Sequence, residues 1–206
     1  MTYNIDTIIF DLGGVLVDWK PEYLYRKVFN GDEKKVQWFL SKVCTSAWNA
    51  DQDGGRTIEE GVTSKIAEFP EHEDLIRLYY EQWHQMFSGP IEENVELFKA
   101  LKASGNYKIY ALTNWSAEKW DKGLELFPFF HFFDGVVVSG QVKMRKPFPE
   151  IYNLIIDKFS INPENTIFID DNEENVNAAA ALKINGIHYK SPQQLLSELK
   201  AHKLIF

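Results

Sequence analysis

Short apolar runs and longer mixed stretches alternate along most of this chain. The runs at 8–10, 107–112 and 166–169 are rich in isoleucine, phenylalanine and tyrosine, which is typical of buried strands. Each run ends at a polar residue, and a further polar segment lies at 143–147. The stretches between them repeat their apolar residues at helical spacing. The pattern therefore predicts strands that bring polar side chains to their ends.

The stretch from about residue 20 to residue 88 contains no convincing buried strand and is typical of successive amphipathic helices. Gly89 and Pro90 then break the helical pattern. Beyond them strands and helices alternate regularly. We predict helices at 23–29, 33–43, 58–69, 75–87, 93–103, 117–126, 149–159, 173–182 and 192–200.

This alternation predicts an α/β fold: a doubly wound parallel sheet, or Rossmann-like core, with an inserted α-helical cap. We expect the core to comprise residues 1–19 and 89–206, and the cap residues 20–88. The insertion begins just beyond the first strand. Its position predicts a lid over the end of that strand.

Asp11 follows the first strand and precedes two glycines, which allow the backbone to turn tightly. Open α/β sheets bind ligands outside the carboxyl ends of their strands, so Asp11 is a candidate nucleophile or metal ligand. Thr113 and Asn114 follow the run at 107–112. A hydroxyl and an amide can both hydrogen-bond phosphate oxygens.

Lys146 lies in a segment that cannot become helical before Pro147, and its charge can neutralise phosphate. Asp170 and Asp171 end the run at 166–169, and a hard divalent cation, naturally Mg²⁺, would relieve their mutual repulsion. A lone Asp after a strand is more often a turn former or a helix cap, Lys-Pro is common, and Asp-Asp before a helix is usually a cap. Their joint occurrence, in this order, favours phosphate chemistry.

The four motifs resemble those of the haloacid dehalogenase superfamily, which are an Asp nucleophile loop, a Ser or Thr, a Lys and a paired acidic loop. The matching segments lie at 11–16, 112–114, 144–147 and 168–175. They are similar to a helical-cap subgroup related to the α-glucose-1-phosphate phosphatases and to the N-terminal phosphatase domain of epoxide hydrolases.

This resemblance implies a phosphatase that acts on a small phosphorylated metabolite, in first place a sugar phosphate. Asp11 would attack phosphorus to give an aspartyl-phosphate. Thr113 and Asn114 would hold the phosphate oxygens, and Lys146 would steady both the nucleophile and the transferring group. Water would then hydrolyse the intermediate.

The resemblance also implies a magnesium site. Asp11, the backbone carbonyl of Gly13 and Asp171 would bind Mg²⁺ directly, with Asp170 close by and acting through water. Any carboxylate nucleophile that attacks a phosphate ester has the same need for positive charge. A carboxylate is repelled by a phosphate dianion, so its attack needs compensating charge, which magnesium and a lysine supply.

Gly13 departs from the superfamily pattern, because most of its phosphatases carry a general-acid Asp two residues after the nucleophile. Three explanations stay open. The leaving group needs little help; another group donates the proton, such as Asp18, Asp51 or a cap histidine; or the substrate is a haloacid, whose halide leaves without a proton. The acidic pair at 170–171 disfavours the last, since halide displacement has no use for a divalent metal.

The polar, glycine-containing segment at 48–56 is predicted to be a specificity loop of the cap, with a solvated helix connection as an equal alternative. Within it, Trp48 could stack on a sugar face and Arg56 could hold phosphate or hydroxyls. Trp115 is expected either to line the pocket or to form a buried wall. The capping box that starts at Thr57 is structural.

The chain has 206 residues, 45% of them hydrophobic and 25% charged, enough for one core domain with an insertion. A single cysteine, Cys44, excludes an internal disulfide, and neither a signal peptide nor a bilayer-spanning run is evident. We therefore expect a cytoplasmic protein, monomeric or weakly homodimeric. The formal charge of −8 disfavours nucleic acid and anionic membrane as partners.

Two further hypotheses come from other functional classes. Receiver domains of signalling relays also combine an acidic pair, a phosphorylated Asp, a Thr or Ser and a Lys. They place the acidic pair before the phosphorylated Asp, whereas here it comes last. A catalytically weak, phosphate-binding module is the second hypothesis, and the glycine at position 13 keeps it open.

Overall fold

Two β-sheets lie in the computed structural model, which describes residues 5–206. Their strands are β1 (Thr7–Phe10), β2 (Val17–Trp19), β3 (Phe87–Pro90), β4 (Lys108–Thr113), β5 (Gly135–Val138), β6 (Thr166–Asp170) and β7 (Asn185–His188).

The larger sheet has five strands in the order β5-β4-β1-β6-β7, and all neighbours are parallel. At its centre, Phe10 of β1 lies opposite Ala111 of β4 and Ile169 of β6. The carboxyl ends of these three strands therefore meet at one edge. This arrangement confirms the predicted α/β fold and parallel sheet.

Helices cover both faces of this sheet, as in a doubly wound fold. Alternate strand residues face opposite sides, so Ile8 and Phe10 join one apolar cluster while Ile9 joins the other. The helices are α1 (Pro21–Val28), α2 (Glu33–Lys42), α3 (Ser46–Asp53), α4 (Ile58–Glu68), α5 (Glu73–Glu81), α6 (Glu92–Ser104), α7 (Trp120–Leu126), α8 (Ser139–Val142), α9 (Pro149–Phe159), α10 (Glu173–Ala181) and α11 (Pro192–Ala201). Within residues 5–206, none of them is both long and apolar enough to cross a membrane.

Helices α1 to α5 form an insertion between the two short strands β2 and β3. The prediction of helix as far as residue 87 was wrong, because α5 ends at Glu81 and β3 begins at Phe87. β3 pairs antiparallel with β2, with Val17 opposite Pro90 and Asp18 opposite Gly89. This pairing satisfies backbone groups of both connections, a long-range effect that local periodicity does not report.

The predicted loop at 48–56 is a helix for most of its length, because α3 runs from Ser46 to Asp53. Its N-cap is Thr45, whose hydroxyl accepts a hydrogen bond from the backbone of Trp48 at 3.1 Å. This N-cap residue lies outside the polar segment 48–56, so the segment by itself resembles a loop. The predicted capping box of α4 is confirmed.

Candidate active site

Lys146 joins two carboxylates at the carboxyl edge of the larger sheet. The backbone amide of Asp11 donates to the carbonyl of Ile169 at 2.8 Å, which continues the pairing of β1 with β6 and places Asp11 beside Asp170. The ammonium nitrogen of Lys146 lies 2.9 Å from Oδ2 of Asp11 and 2.6 Å from Oδ2 of Asp170. The lysine side chain has no exposed surface.

Asn114 holds the lysine segment in place. Its amide oxygen accepts a hydrogen bond from the backbone N–H of Lys146 at 2.9 Å, and its amide nitrogen donates to the carbonyl of Lys146 at 3.0 Å. Both ends of the Asn114 side chain are thus engaged by one backbone position. In this geometry Asn114 orients Lys146, and its predicted contact with phosphate stays a prediction.

Three carboxylates form a compact acidic cluster: Asp11, Asp170 and Asp171 each offer an oxygen, and these oxygens lie within 4.8 Å of one another. Gly14 permits this approach, because a Cβ atom built there would lie 2.1 Å from Oδ2 of Asp171. Its φ of +74° also favours glycine. Gly13 borders the same open cavity as Asp11 and Asp171.

The cluster carries more negative than positive charge. Burial raises the pKa of Asp11 well above its usual value, Lys146 opposes that rise, and Asp170 and Asp171 add to it. Burial, followed by the charge of Asp170, likewise raises the pKa of Asp171. Burial would lower the pKa of Lys146, but the two carboxylates that it contacts outweigh burial and raise it, so the lysine stays charged.

These residues fit a magnesium ion. Carboxylate oxygens are the ligands that Mg²⁺ prefers, and a divalent charge would balance a cluster in which one ammonium faces three carboxylates. Asp170 is already engaged by Lys146, by the backbone of Asn172 at 2.8 Å and by the side chain of Asn175. Asp11 and Asp171 are the members with more room for a metal.

Thr113 supplies a hydroxyl that has no hydrogen-bond partner among residues 5–206, although the residue is 1% exposed. A buried unsatisfied polar group costs roughly 1–3 kcal/mol. A bound anion at the end of β4 would satisfy this hydroxyl. The predicted contact of Thr113 with phosphate stays a prediction.

Two cavities are bordered by Gly13, and one of them also borders the cluster. The open one, of about 720 Å³, is bordered by Asp11, Asp171 and Lys190, among others. The smaller, of about 50 Å³, has aromatic walls. Four residues border both cavities: Gly13, Trp19, Asp53 and Asn114. The aromatic walls of the smaller one are Trp19, Tyr80, Trp83, Phe87 and Trp115.

Trp115 is 6% exposed and lines the small cavity, and its predicted contact with the substrate stays a prediction. The structure does not bring Trp48 or Arg56 to either cavity. The indole of Trp48 is buried against Tyr79 and Tyr80 and donates to the carbonyl of Gly61 at 3.0 Å. The reason is helix α3, which turns Trp48 into the apolar core of the insertion.

Arg56 lies beyond the end of α3, where its guanidinium donates to the side chain of Gln52 at 2.6 Å and lies 3.3 Å from Asp51. These contacts keep the guanidinium on its own segment. Asp51 is exposed and lines neither cavity, whereas Asp18 borders the open one and pairs with Lys20 at 3.2 Å. Of the two aspartates suggested as alternative proton donors, Asp18 is thus the one that shares a cavity with Asp11.

Sequence reasoning did not single out Asp53, which borders both cavities. Burial raises the pKa of this carboxyl to about 7, against the opposing effects of Arg145 and of a hydrogen bond from the Ser116 backbone. Its position inside the polar segment 48–56 was the available signal. As the residue before Gly54, however, it resembles an ordinary helix end.

Residues 5–183 match the family model of the haloacid dehalogenase-like hydrolases. The chain belongs to this family. The motifs agree with this family: an aspartate after β1, a threonine at the end of β4, a buried lysine and a paired acidic loop at the end of β6.

Among relatives of this haloacid dehalogenase-like hydrolase, the phosphorylated carbohydrates phosphatase of Thermotoga maritima is 27% identical over 89% of this chain and 84% of that protein. The sesquiterpene phosphatase astK of Aspergillus oryzae is 32% identical over 97% of both chains. A family enzyme of Bacteroides thetaiotaomicron, solved with magnesium and inorganic phosphate, is 25% identical, with a TM-score of 0.66 over 90% of this chain and 94% of that one.

Proposed function

We propose that this protein is a magnesium-dependent phosphatase that hydrolyses a small phosphorylated metabolite through an aspartyl-phosphate on Asp11. One observation carries the proposal: a fully buried lysine lies between Asp11 and Asp170, beside the third carboxylate of Asp171. A nucleophilic carboxylate needs that lysine, because a phosphate dianion would otherwise repel it.

The relatives support this proposal. The Thermotoga maritima and Aspergillus oryzae proteins are both named as phosphatases. The Bacteroides thetaiotaomicron enzyme binds magnesium and inorganic phosphate in its crystal. A halide-displacing site needs no divalent cation, so the acidic cluster disfavours the dehalogenase alternative.

In the proposed reaction, Oδ2 of Asp11 attacks phosphorus while Lys146 keeps that carboxylate in place and offsets the growing negative charge. The hydroxyl of Thr113 donates to a phosphate oxygen. Magnesium, when bound by Asp11, the Gly13 carbonyl and Asp171, supplies further positive charge to the phosphoryl group. Asp170 acts mainly by holding Lys146.

We further propose that residues 20–88 form a cap over the core of residues 1–19 and 89–206, with the β2–β3 ribbon as its hinge. The small cavity supports this division, because Asn49, Tyr80 and Trp83 of the insertion face Trp115 and Ser116 of the core across it. Closure would exclude bulk water while the phosphoryl group is transferred to Asp11.

A sugar phosphate is the first substrate class that we propose, since indole faces can stack on sugar rings and Lys190 borders the open cavity. A phosphorylated apolar alcohol is the second, because the walls of the small cavity are aromatic. The sesquiterpene phosphatase relative favours the second class and the carbohydrate phosphatase relative the first. A cytoplasmic location and a monomer or weak homodimer stay predictions from the sequence.

Phosphate release from sugar phosphates, farnesyl monophosphate and p-nitrophenyl phosphate, each with Mg²⁺ or with EDTA, tests this proposal. We expect Mg²⁺-dependent release from at least one of them and none from the Asp11→Asn variant. Halide release from chloroacetate, or no release from any phosphate ester, would overturn it.

A further inference from the structure

The side-chain space at position 13 is open. A Cβ atom built on Gly13 would meet no atom within 4 Å, and its φ is not in the left-handed region. This glycine borders both cavities beside the nucleophile Asp11. The volume that a general acid at position 13 would occupy is therefore available to a group from elsewhere in the chain.

Among the cavity-lining residues that the structure describes, the carboxylates are Asp11, Asp18, Asp53 and Asp171. Asp11 and Asp171 belong to the acidic cluster. Asp18 is engaged by the ammonium of Lys20 at 3.2 Å and by the hydroxyl of Tyr23. Asp53 is the remaining carboxylate, and it is the one that borders both cavities together with Gly13.

Asp53 is held in place from both sides of the active-site cleft. From the insertion, the side chain of Asn49 donates to its Oδ2 at 2.9 Å. From the core, the hydroxyl of Ser139 donates to its backbone carbonyl. A carboxylate fixed in this way has a defined position, which proton transfer requires.

We propose that Asp53 is a catalytic residue that protonates the leaving oxygen and later activates water, in place of the acid missing at position 13. This inference rests on the proposed phosphatase function. It assigns the proton donor to helix α3 of the insertion, so that the reacting groups come from both parts of the chain.

In this role Asp53 gives up one proton and regains one in each catalytic cycle. In the first step the bond from Asp11 to phosphorus forms, the bond from phosphorus to the leaving oxygen breaks, and the Asp53 carboxyl gives its proton to that oxygen, which departs as an alcohol. In the second step Asp53, now a carboxylate, takes a proton from water as the water oxygen attacks phosphorus. The bond from Asp11 to phosphorus breaks, hydrogen phosphate leaves, and both aspartates return to their starting states.

The surroundings of Asp53 suit a group that must be protonated near neutral pH. Burial raises its pKa to about 7, while the charge of Arg145 and the amide of Ser116 act in the opposite direction. Tyr79 and Tyr80 of α5 are the other titratable groups whose pKa values this carboxylate influences, and burial keeps both phenols neutral. A general acid is most effective when its pKa lies near the working pH.

Two phosphate esters of similar size test the inference: the aryl ester p-nitrophenyl phosphate and the alkyl ester benzyl phosphate. Nitrophenolate leaves readily without a proton, whereas the alkoxide of benzyl alcohol does not. We expect Asp53→Asn to lower kcat/KM for benzyl phosphate about 100-fold more than for p-nitrophenyl phosphate. Asp51→Asn, on the same helix but exposed and outside both cavities, is the matched control and should leave both values unchanged.

A second variant keeps the test decisive even if Asp53→Asn alters the fold. Since position 13 has room, adding Gly13→Asp to Asp53→Asn should restore at least about 10-fold of the lost benzyl phosphate activity. The rate of the wild type with benzyl phosphate should also fall as the pH rises through about 7, and this fall should be absent with p-nitrophenyl phosphate.

Equal losses on both esters, or none, together with no rescue, would overturn the role of Asp53 while leaving the phosphatase function intact. A wild type that hydrolyses neither ester nor any other phosphate monoester would overturn both.

Discussion

The ammonium nitrogen of Lys146 lies 2.6 Å from Oδ2 of Asp170, and neither side chain has any exposed surface. This contact ties the segment after β5 to the end of β6. The same nitrogen reaches Asp11 at 2.9 Å, so a single buried cation holds the proposed nucleophile and stabilises the fold around it. Function and stability are therefore coupled at this residue.

Lys146→Ala should lose both activity and stability. The substitution leaves two buried carboxylates without their cation, and breaking a buried ion pair from one side typically costs about 3–5 kcal/mol. Phosphate release and urea unfolding measure the two effects. Lys122→Ala, which removes an exposed ion pair, is the control and should change neither by much. An active, fully stable Lys146→Ala variant would contradict the role of this lysine.

Asp11→Asn should be inactive and yet more stable than the wild type when no metal is bound. Burial raises the pKa of Asp11, which means that its charged form is disfavoured in the folded state. A neutral amide removes that cost, and Lys146 retains Asp170 as its partner. We expect the free energy of unfolding of this variant to exceed that of the wild type in EDTA at pH 8. A loss of stability would show that the contact with Lys146 outweighs the cost of burial.

Magnesium should stabilise the wild type through the acidic cluster. At a free concentration about a hundred times its Kd, a ligand that binds only the folded state adds about 2.7 kcal/mol. Thermal melts with MgCl₂ and with EDTA measure the shift. Asp171→Asn should lose most of it, while Asp121→Asn, an exposed carboxylate of α7, should keep it. The same shift in both variants would place the ion elsewhere.

The free energy of unfolding of the wild type should fall as the pH rises, because the folded state holds the proton of Asp53 more tightly than the unfolded state. Its folded pKa, about 7, lies above the unfolded value near 3.8, so the folded state binds more protons between these values and loses stability from pH 4 to 7. Asp53→Asn removes that loss. We expect its stability relative to the wild type to be higher at pH 8 than at pH 5, by on the order of 1–3 kcal/mol. Urea unfolding at both pH values checks this, and a difference that does not change with pH would contradict the raised pKa.

The sheet and its polar strand ends could be predicted from the sequence, since both follow from local rules. Apolar runs specify the strands, and parallel strands bring the residues that follow them to one edge, as Asp11 and Asp170 illustrate. Their placement depends on the order of the strands more than on the exact contacts between side chains.

The inner face of the insertion could not be predicted in this way. Helix α3 starts at an N-cap outside the polar segment 48–56, and Asp53 at its end is held by a hydrogen bond from Ser139 of the core, more than 80 positions away along the chain. The pairing of β2 with β3 likewise joins residues about 70 positions apart. Contacts of this range leave no periodic signal in the chain.

Trapping of the intermediate tests the central claim, nucleophilic attack by Asp11, most directly. The enzyme is mixed with a phosphate ester that it hydrolyses and Mg²⁺, quenched with acid, reduced with borohydride and digested for peptide mass spectrometry. An aspartyl-phosphate at position 11 is reduced to homoserine, so we predict homoserine there in the presence of substrate and none without it. Steady phosphate release with Asp11 unmodified, or homoserine at another aspartate, would contradict the account.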